Sequence, residues 1–239
     1  MPDDPRSSQP VPDTVPDDDR GERLLRNAVF LGGAVLLGVV VVVLGIINPR
    51  PSMGVATDRL GPAPGERVDD YLNEARASLD GADTAPRWAL VSYSEYLTPQ
   101  QIPAAVDGLR ISGVIQHVPI DRVQTPVITV GTPAGDIPAL NSAGSAAGLL
   151  AAQRQPDQRT TDIARISEAR LRAGCACAAG VVVRGTLPEL RELASRPGVR
   201  AVQALPADAI AGRFAVAPLL PGTIGTVAPT PDDGPVPAE

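Results

Sequence analysis

Cys175-Ala176-Cys177 is the one arrangement in this chain with intrinsic reactivity. Two thiols separated by one residue can close a tight disulfide or present a soft pair to Cu(I). The same two residues can equally be small apolar side chains entering a strand, where cysteine is commonly buried and inert. Oxidation is open to them if the domain is exported. His117 is the single histidine, so Ser-His-acid or Cys-His chemistry would have to use it; its place in a predicted strand favours a structural role. Ser142 and Ser145 lie in Asn141-Ser142-Ala143-Gly144-Ser145-Ala146-Ala147-Gly148, which is not the G-x-S-x-G elbow and reads as a close-packed helix. The glycines of this stretch, with Gly131 and Gly135, miss both the dinucleotide fingerprint and the P-loop, whose lysine the chain does not have. One His and two Cys cannot close a four-ligand zinc site. No catalytic, cofactor-binding or metal residues are assigned, and the chain is read as a non-enzyme without a cofactor.

Charge narrows the partners further. The net charge of -6 gives no general attraction to a phosphate backbone, which argues against nucleic acid. Arg154, Arg159, Arg165, Arg170 and Arg172 outnumber Asp157, Asp162 and Glu168 along one predicted helix. That helix either presents a solvated face or contacts lipid head groups or an acidic partner. Trp88, Tyr93 and Tyr96 cluster at one strand, where core packing is the simpler use and an interface platform the alternative.

The elements that would position these residues form an internal repeat. Trp88-Ala89-Leu90-Val91-Ser92-Tyr93, then Thr98-Pro99-Gln100-Gln101, then Val114-Ile115-Gln116-His117-Val118-Pro119 matches Gly180-Val181-Val182-Val183-Arg184, then Thr186-Leu187-Pro188-Glu189, then Ala201-Val202-Gln203-Ala204-Leu205-Pro206. Each copy reads strand, capped helix, strand, and each Thr has Gln101 or Glu189 three residues on, the capping-box spacing. Pro103 conflicts with an uninterrupted first helix, because it removes a backbone donor. Two β-α-β units, at about 87–119 and 178–206, predict an α+β, ferredoxin-like domain with both helices on one face of an antiparallel sheet. The insert between them holds a strand over 125–130, a small-residue helix over 139–153 and a helix over 157–173 ending at Gly174. Val68, Leu72, Ala75 and Leu79 recur at helical spacing up to Gly81, an apolar stripe expected to pack on the domain.

Ahead of the domain, Ala28 to Ile47 has no charged or strongly polar residue; fourteen of its twenty positions are Val, Leu, Ile or Phe. That is the length and character of a transmembrane helix, with insertion favoured by roughly 4 to 8 kcal/mol before the glycine cost. Asn48-Pro49-Arg50-Pro51 follows in place of a small-x-small cleavage site, so an uncleaved anchor is expected. Arg20, Arg23 and Arg26 precede the span while Arg50 and Arg59 follow it, a slight bias toward a cytoplasmic N-terminus and an extracytoplasmic domain at the plasma membrane. Ala34, Gly38 and Gly45 share a helix face that can pair with another helix, a route to a homo-oligomer. Residues 1–27 and 218–239 are rich in Pro and Asp and read as disordered tails, with 48–65 a linker and 66–217 the soluble domain.

The repeat, the acidic tails and a basic complement made only of Arg resemble the uncharacterised single-pass membrane proteins of actinobacteria. The resemblance is one of architecture, and it implies an envelope location and no known activity. Val181-Val182-Val183 through Pro197-Gly198-Val199-Arg200 also resembles half of a subtilase-propeptide-like module, from which no inhibitory function is carried over. Together these features lead to the expectation of a membrane-anchored interaction or scaffold protein holding a protein partner in the envelope. The alternative expectation is a thiol-redox or soft-metal-handling protein using Cys175 and Cys177.

Overall fold

The computed structural model describes Gly33, residues 37–39 and residues 58–238. The N-terminal tail and nearly all of the Ala28 to Ile47 segment, with Ala34 and Gly45, lie outside the described residues; Gly33, Leu37, Gly38 and Val39 are helical. Among the described residues no helix is long and apolar enough to cross a membrane.

From residue 58 onward the order is β1 (Arg59–Leu60), α1 (Val68–Ala77), β2 (Arg87–Leu97), a 3-10 turn (Pro99–Gln101) leading into α2 (Ile102–Ala105), and β3 (Arg110–His117). There follow β4 (Val127–Gly131), α3 (Asp136–Leu140), α4 (Ser142–Ala151), α5 (Gln158–Arg172), β5 (Ala178–Gly185), α6 (Leu187–Ala194), β6 (Val199–Ala204) and β7 (Ala215–Val216). Five strands make an antiparallel sheet in the order β4-β3-β5-β2-β6, and β1 and β7 form a separate parallel pair. In both copies of the repeat the two strands are therefore not neighbours: β5 lies between β2 and β3, and β2 between β5 and β6.

The register explains the apolar runs. Val91 pairs with Val181 on one side and Val202 on the other, and Val114 pairs with Val181 from β3. Successive strand residues point to opposite faces. Ala89, Val91, Val114, Val181 and Val183 thus pack with Ile102, Val106, Leu187, Leu190 and Leu193 of the repeat helices. The alternate residues Trp88, Leu90, Ile115 and Val182 pack with Leu60 and Leu205, with Phe214 and Val216 against them. A sheet covered on both faces needs uninterrupted apolar strands such as Val181-Val182-Val183.

The caps behave as their spacing predicts. Gln101 Oε1 accepts the Thr98 N–H at 2.8 Å and Glu189 Oε2 accepts the Thr186 N–H at 2.7 Å. The two helices diverge after that. Pro103 falls in a four-residue α2 entered through a 3-10 turn, whereas α6 runs for eight residues. The small-residue segment forms two helices rather than one, α3 and α4, because Asn141 sits at φ -87° and ψ 0°, outside the helical region.

The domain boundaries differ from 66–217. At the front, Leu60, placed in the linker by sequence, is fully buried. At the back, residues 218–238 are laid along the domain: Leu219 is buried with Val68, Tyr71 and Ala75 of α1, and Val68 and Gly65 donate backbone hydrogen bonds to Gly225 and Val227. Proline density prevents regular structure here without preventing docking, since side-chain and backbone partners on the domain replace the missing ladder bonds. The stripe of α1 packs on the domain, and the Ala204 N–H donates to Ser78 Oγ at 2.8 Å, so α1 covers the β6 edge of the sheet. The opposite edge, β4, has a strand partner on one side only.

Candidate functional site

Cys175 and Cys177 are joined in a disulfide, and two unlike elements place them. The C-terminus of α5 closes in a Schellman turn: Gly174, at φ +73°, donates to the Leu171 carbonyl, and the Cys175 N–H donates to the Arg170 carbonyl. Cys177 lies immediately ahead of β5 and is hydrogen-bonded on both sides, its N–H donating to the Leu97 carbonyl and its own carbonyl accepting from the His117 N–H at 2.8 Å. Cys177 is buried against Leu150 and Leu171, while Cys175 is half-buried and Ala176 exposed. Beside this corner lies a groove of about 510 Å³ bounded by Pro99, Gln100, Leu140, Asn141, Arg172 and Gly174. Among the described residues no group of three His, Cys, Asp or Glu could hold a metal ion.

His117 follows Gln116 and so faces the other side of the sheet. Its Nδ1 is hydrogen-bonded to the Tyr96 hydroxyl at 2.7 Å, the rings stacked with centroids 5.6 Å apart. Burial pulls the imidazole down to about 4 and pushes the Tyr96 phenol up to about 12. At neutral pH the imidazole is therefore uncharged and the phenol protonated; with the phenol as donor, the ring proton sits on Nε2. Gln116 instead donates from Nε2 to Ser142 Oγ at 3.0 Å, and Ser142 Oγ donates to the Ala139 carbonyl at 2.6 Å. The one histidine and Ser142 thus lie on opposite faces of the sheet and cannot exchange a proton. Ser145 donates to the Asn141 carbonyl at 3.2 Å, an intrahelical bond that leaves it no base.

The aromatic group splits in the same way. Tyr93 goes to the helix-side core and Tyr96 to His117. Trp88 lies under the Arg184 guanidinium at 5.1 Å and against Phe214 at 6.1 Å. Trp88, Gly113, Thr129, Val182 and Phe214 line an apolar cavity of about 250 Å³ that opens beside β4, whose Val127 is 45% exposed. This open edge with its adjacent cavity carries no sequence motif; only the short β-branched run Val127-Ile128-Thr129-Val130 marks the strand.

The arginines of α5 are largely spoken for within the chain. Arg172 pairs with Glu168 at 2.8 Å, Arg170 donates to the Pro119 carbonyl at 3.1 Å and Arg159 pairs with Asp232 at 2.8 Å. Asp232 and Asp233, read from sequence as part of a solvated tail, supply acids to this face and to Arg122. Compared with protein-family models, curated proteins and solved structures, the chain matches none.

Proposed function

We propose that this chain is a membrane-tethered, non-enzymatic interaction module of the cell envelope, and that the open edge of β4 is where its domain takes a partner strand. The observation carrying this reading is the asymmetry of the sheet: α1 covers the β6 edge, while β4 pairs with β3 alone. An uncovered edge offers unpaired backbone donors and acceptors to an added strand. The cavity between Trp88, Thr129 and Phe214 supplies an apolar pocket for a side chain of that strand. The strand order β3-β5-β2-β6, two interleaved strand-helix-strand units, supports a ferredoxin-like core with β4 added at one side.

In this reading Ala28 to Ile47 is the single span, the N-terminus is cytoplasmic and the domain extracytoplasmic. Ala34, Gly38 and Gly45 pair the helix with a second copy. Purification of the full chain in mild detergent tests the edge: a stoichiometric protein partner should co-purify with wild type and be lost with Val127→Lys at unchanged thermal midpoint. Recovery of wild type as an isolated monomer would refute the reading.

The Cys175–Cys177 disulfide favours a second reading, thiol-disulfide exchange in the envelope, with the half-buried Cys175 as the accessible sulfur. Alkylation of the native protein with and without a mild dithiol separates the two: thiols that stay unreactive after dithiol treatment would remove this reading.

A further inference from the structure

The last residues of the chain are held as a bound peptide would be. From Thr230 to Ala238 the backbone lies between the loop 119–125 and α5. Gln124 donates from Nε2 to the Thr230 carbonyl at 2.6 Å and from its N–H to Asp232 Oδ1 at 3.1 Å. Arg159 Nη2 donates to Asp232 Oδ1 at 2.8 Å, to the Asp232 carbonyl at 3.2 Å and to the Gly234 carbonyl at 3.1 Å. Arg122 pairs with Asp233, the Gly234 N–H donates to the Arg122 carbonyl at 2.8 Å, and Arg165 Nη1 donates to the Ala238 carbonyl at 3.3 Å.

Exposed ion pairs alone would contribute little and specify nothing. Here the same groups also read the backbone, and one position is selected by shape. A Cβ on Gly234 would stand 2.7 Å from the Asp121 carbonyl oxygen and 2.8 Å from that of Arg122. Pro-Asp-Asp occurs at Pro2-Asp3-Asp4, Pro16-Asp17-Asp18 and Pro231-Asp232-Asp233, followed by Pro5, Asp19 and Gly234. Only the last has both the missing Cβ and the N–H that Arg122 accepts. The segment has a second consequence: Thr230 and Pro231 help to enclose a cavity of about 400 Å³ whose other walls include Tyr96, His117 and Arg122.

We infer that the groove between loop 119–125 and α5 is a recognition site for an extended acidic segment of Pro-Asp-Asp-Gly chemistry. The chain's own C-terminus fills it in cis, and once released it takes the same segment from a second copy of the chain. This goes beyond the open β4 edge and does not rest on it, because the groove and β4 are different surfaces.

Two full-length variants in detergent test it. D232A/D233A has an emptied groove and R159A has an intact but unheld C-terminus. A fluorescent peptide of residues 228–239 should bind D232A/D233A at least about tenfold more tightly than wild type, where a tethered competitor acts at an effective concentration on the order of mM. A peptide carrying Gly234→Ala should not bind, nor should the wild-type peptide bind D232A/D233A that also carries R159A. Mixed, D232A/D233A and R159A should associate one to one through their soluble domains, beyond the membrane-helix pairing that each shows alone; circular dichroism verifies that both are folded. Equal peptide affinity for wild type and D232A/D233A, binding that survives Gly234→Ala or R159A, or no association on mixing beyond the membrane-helix pairing would overturn the inference.

Discussion

The Tyr96 hydroxyl and His117 Nδ1 are hydrogen-bonded at 2.7 Å on the face of the sheet turned away from the repeat helices. Burial lowers the imidazole from 6.5 to about 4, so the folded protein holds His117 neutral where the unfolded chain would protonate it. The unfolded state binds more protons between these values, and stability therefore falls as pH drops from about 6.5 to about 4. The full shift is worth about 3 kcal/mol. Asp121 and Arg122 face the same cavity, and the Tyr96 phenol stays protonated throughout this range. Urea denaturation at pH 7 and pH 4.5 should show this loss in wild type and a much smaller one in His117→Gln, which retains a hydrogen-bonding group beside Tyr96.

The two capping boxes use different chemistry for one geometry, Gln101 in the first copy and Glu189 in the second. The Thr186 N–H and then its hydroxyl hold the Glu189 carboxyl below its usual range. That contribution is present above the unfolded carboxyl value and is lost as pH falls through the folded one. Thr186→Ala should cost about 1 kcal/mol at pH 7. Glu189→Gln should cost less and remove the acid-dependent part of the α6 contribution, read as converging denaturation midpoints of variant and wild type near pH 3. An E189Q profile parallel to wild type down to pH 3 would count against this assignment.

The strand-helix-strand units are legible in the sequence because a cap residue, a partner three positions on and an apolar strand are all local signals. Thr186 and Glu189 announce α6 without help from the rest of the chain. Pro103 likewise shows why α2 is short and begins in a 3-10 turn. The docking of the C-terminal segment on α1 is not legible, since Leu219 and Val227 sit in a proline-rich run with no periodicity, and what holds them is contact with α1. Cys175 and Cys177 stand out by type alone. Asp232 and Asp233 do not, because their partners, Arg159 and Arg122, are distant in sequence and belong to a helix and a loop whose packing the residue pattern does not encode.

Gly180 is the closest approach in the central strands. A Cβ there would lie 2.6 Å from the Val91 carbonyl oxygen, which belongs to the neighbouring central strand and cannot yield like a flexible side chain. Gly180→Ala should push β2 and β5 apart at their middle and cost about 1 to 3 kcal/mol. Gly144→Ala, on the exposed side of α4 with nothing near its Cβ, should leave stability unchanged or raise it by up to about 1 kcal/mol. Parallel urea titrations would distinguish the two; equal midpoints would mean that the strands give way without cost.

The Cys175–Cys177 bridge closes a loop with a single intervening residue, so it removes little freedom from the unfolded chain. The chain-entropy relation for so short a loop gives under about 2 kcal/mol. A domain with apolar clusters on both faces of its sheet should therefore stay folded when the bridge is reduced, with a lowered but cooperative thermal midpoint. The two sulfurs should then differ as their surroundings do. Cys175→Ser places a hydroxyl at a half-buried turn and should match the reduced protein. Cys177→Ser places it against Leu150 and Leu171, where an unpaired hydroxyl costs about 1 to 3 kcal/mol more. Melting curves of wild type with and without a dithiol, beside the two variants, measure both differences. Global unfolding on reduction alone would show that the bridge holds the α5 terminus to β5 as a structural staple, and the thiol-exchange reading would lose its basis.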